Sequence, residues 1–188
     1  MSKKVIVAVT GASGSIYAQK LIEQMLVYSG KFKEIALIFS ENGHKVWEYE
    51  LGDIPSYPKP VMVYENTNMF SPVASGSAAY ETMIVVPCTM GTLGRIATGA
   101  SPDLICRAAD VMLKERRKLI LVPRELPYSL IHIENMRTVT LAGGIVLPAS
   151  PSFYSLPKNI DELVLTVVNR ILDVAGIETN HYRWGDAL

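Results

Sequence analysis

Between Thr82 and Glu125 the chain holds two short runs, Thr82–Val86 and Lys118–Val122, that are apolar with no alternation of polar residues. A strand of that kind must be covered on both faces, as in a parallel sheet with helices above and below it. The first run leads into Pro87-Cys88-Thr89-Met90-Gly91-Thr92 and the second into Pro123-Arg124-Glu125. Ligands of open α/β sheets bind at the carboxyl ends of the strands. These polar segments are therefore where the chemistry of the chain is expected.

The rest of the sequence repeats the pattern. Val5–Val9 reads as a buried strand ended by Thr10 and Gly11, and Ser15–Tyr28 as a helix stopped by Gly30. Ile35–Phe39 is a second strand ended by Ser40, and Asn42–Leu51 a helix. A proline-rich loop, Gly52–Pro60, leads to a short edge strand, Val61–Tyr64, and Ser75–Glu81 reads as a small helical segment. Asp103–Arg117 and Ser129–Ala142 are helices, Ile145–Leu147 a last strand, and Asn159–Ala175 a closing helix ended by Gly176. Alternating strands and helices predict one doubly wound, mostly parallel α/β domain over residues 1–188, with a polar tail at 177–188.

Charge removes some function classes. The 18 Lys and Arg residues balance the 18 Asp and Glu residues, so no overall field draws the chain to nucleic acid or an anionic membrane. Any anion site must be a local cluster. No segment approaches the ~20 apolar residues of a membrane helix. The two cysteines, Cys88 and Cys106, form no C-x-x-C pair, which suits a reducing, cytoplasmic setting. Cys88 reads as a small packing residue. His44, His132 and His181 show no metal-ligand spacing, so no metal site is expected.

Thr10-Gly11-Ala12-Ser13-Gly14-Ser15 follows a strand and opens a helix. Its glycines would let backbone approach a ligand, and the unpaired N–H groups at the helix start would attract a phosphate. A tight strand-to-helix turn is the plainer reading, and both stay open at this point. A short-chain dehydrogenase also begins Thr-Gly, but Ile16 stands where its next glycine would be, and its Tyr-x-x-x-Lys is matched only by Tyr154 to Lys158, interrupted by Pro157. Ser40, Thr89 and Thr92 place hydroxyls at neighbouring strand ends, with the backbone of Gly91 beside them and Arg124 as a cation. That donor set suits the phosphate, ribityl chain and polar-edged ring of flavin mononucleotide (FMN). Arg107, Asp110 and Lys114 share one helix face, either as a solvated ion-pair ladder or as part of a site. Arg170 lies within an otherwise apolar helix, and Glu50 and Glu125 are candidate carboxylates.

Several long blocks go further. They are Thr10–Gly14, Ala74–Ser77, Pro87–Thr92, Ala97–Ala100, Arg107–Asp110, Leu113–Arg117, Leu121–Glu125, His132–Met136, Pro151–Tyr154 and Arg183–Gly185. Through them the chain resembles the UbiX-type flavin prenyltransferases over almost its whole length. The resemblance implies a flavodoxin-like fold and a metal-free transfer of a dimethylallyl group from dimethylallyl phosphate to reduced FMN. The product would be prenylated FMN, the cofactor of UbiD-type decarboxylases. It implies that Gly11, Ala12, Ser13, Ser40, Thr89, Met90, Gly91, Thr92 and Arg124 hold the flavin. Ser75, Arg107, Lys114, Arg124, Tyr154, Arg170 and Trp184 would meet the dimethylallyl substrate. Ser13, Glu50, Glu125 and Lys114 would take part in catalysis, with Ser13 and Glu50 near the reacting ring nitrogen. It also implies a homododecamer with sites shared between subunits and the tail docked on a neighbour.

Two other functions remain from the sequence. A flavin-dependent cysteine decarboxylase would share the fold, but Pro72–Ser77 lacks the asparagine of that family's loop, and His44 is the one histidine near the second strand. A non-enzymatic flavin carrier would need no phosphate-binding cations.

Overall fold

A computed structural model describes residues 2–183 and 185. Six strands form a single sheet in the order β3-β2-β1-β4-β5-β6. They are β1 (Lys3–Val9), β2 (Phe32–Phe39), β3 (Val61–Glu65), β4 (Thr82–Cys88), β5 (Lys118–Pro123) and β6 (Ile145–Val146). All five pairings are parallel, so the sheet expected to be mostly parallel is wholly so. Removing the edge strand β3 leaves the 2-1-3-4-5 order of flavodoxin-like sheets; with it, the order is 3-2-1-4-5-6.

The unbroken apolar runs are explained by burial on both faces. Val5 through Val9 and Met83 through Val86 are all 0% exposed. Because side chains alternate across a strand, Val5, Val7, Val9, Ile84 and Val86 enter one core, and Ile6, Ala8, Met83 and Val85 the other. The first core is closed by α1 (Ser15–Val27), α2 (Glu41–Leu51) and α6 (Ile160–Ala175), the second by α3 (Met90–Ala97), α4 (Leu104–Lys114) and α5 (Leu130–Leu141).

Three local expectations change. Within Ser75–Glu81 the helical part is a single 3-10 turn, Gly76–Ala78, preceded by another at Pro72–Ala74. Residues 90–97 form α3, where a loop had been expected, because Thr89 caps the first turn by accepting from the Thr92 amide at 3.0 Å. The helix begun by Asp103 ends at Lys114 rather than Arg117, since Arg116 takes a left-handed backbone with φ 54°.

α2 lies unusually close to β1. A Cβ added to Gly43 would sit 2.3 Å from the Val9 carbonyl oxygen, and one on Gly11 would sit 2.6 Å from the Asn42 Cβ. Helix packing alone therefore requires a glycine at position 11. This approach sets where the far end of α2, with Glu50, comes to rest.

Candidate active site

The crossovers from β1 and β4 leave to opposite faces of the sheet, which opens a crevice at their carboxyl ends. One buried hydroxyl ties the two walls together. Thr10 Oγ1 donates to the Pro87 carbonyl at 2.7 Å and accepts from the Thr89 amide at 2.8 Å. Thr10 is 1% exposed, so this hydroxyl fixes the spacing of the two loops.

The other hydroxyls first serve as caps. Ser40 accepts from the Gly43 amide at 3.0 Å, and Thr89 also donates to Thr92 Oγ1 at 2.9 Å. Turn chemistry therefore uses both residues. Met90 is buried under the first turn of α3, while Gly91 is exposed. A Cβ on Gly91 would come no nearer than 3.8 Å to any other residue. Unlike Gly11, this glycine would tolerate a Cβ at ordinary van der Waals distance, from Arg95 and Thr89, and it lies in the first turn of α3.

At the start of α1 the structure favours the tight-turn reading of the two left open by the sequence. The amides expected to attract a phosphate are already taken by Glu50, from the last turn of α2. Its carboxylate accepts from the Gly14 amide at 3.0 and 3.1 Å and from the Ser15 amide at 2.8 Å. Burial opposes its charge, but hydrogen bonds from the Ser13 side chain and from these amides prevail and hold its carboxyl below the usual range. Gly14 makes the seat possible with a left-handed φ of 109°. Ser13 is exposed at the lip, bonded to an ionised carboxylate on one side and facing the crevice on the other.

From β5, Arg124 Nε donates to the Ser13 carbonyl at 3.1 Å, so its guanidinium leans over the same loop. Glu125 is half-buried beside it and accepts from the Leu126 amide at 3.2 Å. Gly11, Ala12, Ser13, Ser40, Glu50, Thr89–Thr92, Arg124 and Glu125 thus all stand at one end of the sheet.

The remaining candidates lie elsewhere in the chain. Arg107 pairs with Asp110 at 2.7 Å and donates to the Ala74 carbonyl at 3.2 Å. Lys114 pairs with Glu115 at 2.5 Å at the opposite, amino-terminal end of the sheet, and exposed Ser75 bonds Ser77 at 2.9 Å before β4 begins. The helix face therefore carries separate ion pairs instead of one ladder. Tyr154 and Arg170 meet in a third place, a groove of about 500 Å³ between α6 and residues 147–155. Trp184 lies outside the described residues. Cys88 is a packing residue as expected: burial pushes its thiol up to about 12. His44 sits on the outer face of α2, 3.4 Å from Glu48, and not at the crevice.

Sequence reasoning missed Thr10 as the bridge between the loops and the Gly14 and Ser15 amides as the seat of Glu50. A hydroxyl directly after a fully apolar strand was the signal for the first. The second had none, because the partners are 36 and 35 residues apart.

Residues 1–172 match the family model described as Flavoprotein. The flavin prenyltransferase UbiX of Methanocaldococcus jannaschii is 45% identical over 185 residues, spanning 97% of this chain and 98% of that protein. A crystal structure of AnUbiX (PadA1) in complex with FMN and dimethylallyl pyrophosphate superposes with a TM-score of 0.86 at 37% identity, covering 98% of this chain and all of that one. A dodecameric FMN-dependent UbiX-like decarboxylase from Escherichia coli O157:H7 gives 0.87 at 37% identity, covering 96% and 98% of the two chains.

Proposed function

The chain belongs to the UbiX flavin prenyltransferases of the Flavoprotein family, and from that premise we propose how its residues carry the reaction. It joins a dimethylallyl group from dimethylallyl phosphate to reduced FMN, making prenylated FMN for a UbiD-type decarboxylase. The bound flavin supplies the nucleophilic nitrogen and ring carbon to which the five-carbon group becomes attached.

The donor set at the crevice fits such a ligand. Gly91 offers exposed backbone, Ser40 keeps a hydroxyl proton to donate, and Arg124 supplies positive charge. Gly11, Ala12, Thr89, Met90 and Thr92 shape the loops around them. The phosphate of FMN belongs with Arg124 and the α3 start, because Glu50 would repel it from the α1 start. Glu50 and Ser13 suit the reacting edge of the ring. An ionised carboxylate bonded to an exposed hydroxyl can take up the proton that leaves when nitrogen is alkylated. Breaking the allylic carbon–oxygen bond puts negative charge on the departing phosphate, which arginine, lysine and phenol groups stabilise. Arg107, Lys114, Tyr154 and Arg170 are proposed for this, with Ser75, Glu125 and Trp184 around them.

One observation carries the assignment: Glu50 from α2 and Arg124 from the end of β5 converge on the loop that carries Ser13. The test is anaerobic incubation with reduced FMN and dimethylallyl phosphate, followed by the mass of the extracted flavin. The expected result is the mass of prenylated FMN; unaltered FMN would refute the reading. The cysteine decarboxylase reading gains no support, since His44 is a surface residue, and a mere carrier would leave the flavin mass unchanged.

The three separated groups of candidates support a site completed between chains, as in a homo-oligomer like the dodecameric relative. The groove and the tail beside it are proposed to face a neighbour's flavin. The outer face of α5 supports self-association. Val139 is the one buried residue of that helix, while Leu130 and Ile131 are 73% and 72% exposed. Ile131→Glu should yield a smaller particle by light scattering, because the charge would be desolvated without a partner. An unchanged particle mass would remove α5 from the interface. Among the described residues no helix is long and apolar enough to cross a membrane. A cytoplasmic location is proposed from the two free, buried thiols.

A further inference from the structure

The chain beyond α6 follows a pinned path. Lys3 Nζ donates to the Gly176 carbonyl at 2.7 Å, Lys31 Nζ to the Glu178 carbonyl at 2.6 Å, and the Asn180 amide to the Tyr28 hydroxyl at 3.1 Å. The path then turns back onto α6, where Asp173 takes hold of it twice. His181 Nε2 lies 3.2 Å from Asp173 Oδ2, and its Nδ1 is 2.9 Å from the Thr179 hydroxyl. Arg183 grips the same carboxylate through both terminal nitrogens, at 2.8 and 3.2 Å. The side chains of Asp173 and His181 are 18% and 10% exposed, whereas that of Arg183 is 48% exposed. All three line the groove that holds Tyr154 and Arg170.

We propose that Asp173 is a positioning residue for the substrate's phosphate: its two-bond fork holds Arg183 in the groove as a second guanidinium beside Arg170 and Tyr154. The inference rests on the reading of this groove as the allylic phosphate site. A guanidinium is planar and carries five N–H donors, and the fork occupies one of its edges. Arg183 follows a segment with no helix or strand to aim it. Unheld, it would lose rotamer freedom each time it bound an anion; held by Asp173, that loss is incurred on folding. Asp173 and Arg170 are three residues apart on one helix, at a spacing where they could pair. The carboxylate is engaged by the tail instead, and Arg170 has no ion-pair partner among the described residues. Among the described residues that line the groove, two guanidiniums stand against one carboxylate, a balance that suits a phosphate.

The test compares Asp173→Asn, Arg183→Gln, the double variant and Arg170→Ala in the full-length protein. It measures kcat and KM for dimethylallyl phosphate, and FMN affinity by titration. Asp173→Asn is expected to raise KM about tenfold, the size of one lost charge-assisted hydrogen bond. kcat should stay within about twofold and FMN affinity should not change. The double variant should be no worse than Arg183→Gln, because Asp173 acts through that residue. An unchanged KM in Asp173→Asn, with KM raised in Arg170→Ala, would overturn the proposal and leave the groove reading intact. Effects that multiply in the double variant would also overturn it. If Arg170→Ala leaves KM unchanged, the groove is not the phosphate site and both ideas fail. Should Asp173→Asn not fold, Arg183→Lys decides alone: it keeps the charge and loses the fork, so an unchanged KM would refute the proposal.

Discussion

Glu50→Gln should lower the rate of flavin prenylation by about a hundredfold or more, the usual worth of a positioned general base, while FMN still binds. The glutamine keeps an acceptor oxygen for the Gly14 and Ser15 amides, so the loop should hold its shape. Ser13 would lose an ionised partner able to accept its proton. The stability cost should be about 1 kcal/mol, as for other changes at a helix amino terminus. Single-turnover rates and FMN titration separate these effects. If FMN affinity collapses while the rate at saturation survives, Glu50 is a structural cap and another base must be found.

The same carboxylate makes a pH prediction with a definite sign. Its folded pKa is depressed, so folding favours the ionised form. The stability it contributes is present above the ordinary carboxylate range and is lost as pH falls through the lower folded value. Glu50→Gln cannot titrate. Its acid-unfolding curve should therefore be flatter than the parent's over that window, and the two should run parallel near neutrality.

The second large effect is expected at Thr10. Thr10→Val keeps the shape and removes the hydroxyl, leaving the Pro87 carbonyl and the Thr89 amide with one fewer partner each. The Pro87 carbonyl retains the Thr10 amide at 3.2 Å, so the greater loss falls on the Thr89 amide. The cost should be about 2–3 kcal/mol for a site this deeply buried. Thr10→Ser should recover most of it. Urea midpoints at one fixed protein concentration provide the measurement, since assembly shifts apparent stability. FMN affinity should fall in Thr10→Val as well, because the β1 and β4 loops would no longer be held at one spacing. A midpoint within a few tenths of a kcal/mol of the parent would mean that the loops hold each other by other means.

Much of the fold was legible because its signals are local. A strand covered on both faces must be apolar throughout, and Val5–Val9 and Met83–Val86 are so. Caps were legible in part: Asp103 and Asn159 accept from Cys106 and Glu162 at helix starts, as their types suggest. Thr89 carried the same signal, but Gly91 and Gly94 obscured the helix that follows it. The segment after Ser75 is helical only over Gly76–Ala78, because small residues fit an α-helix and a 3-10 turn equally well.

The candidate site divides along the same line. Gly91, Ser40, Thr89 and Arg124 could be placed at one end of the sheet from sequence, since position after a strand decides it. The sequence alone also determined the residue types available there and the family to which the chain belongs. The fold decided which group each of them meets: Glu50 reaches the α1 amides because Gly43 lets α2 press against the Val9 carbonyl. It also decided that Lys114 and Arg170 stand outside that crevice in their own chain, and that Asp173 holds Arg183. Strand and helix patterns arise from neighbours along the chain and can be read from it. Contacts between residues that are distant in sequence depend on the angle and depth at which helices pack, and only the whole folded chain sets those.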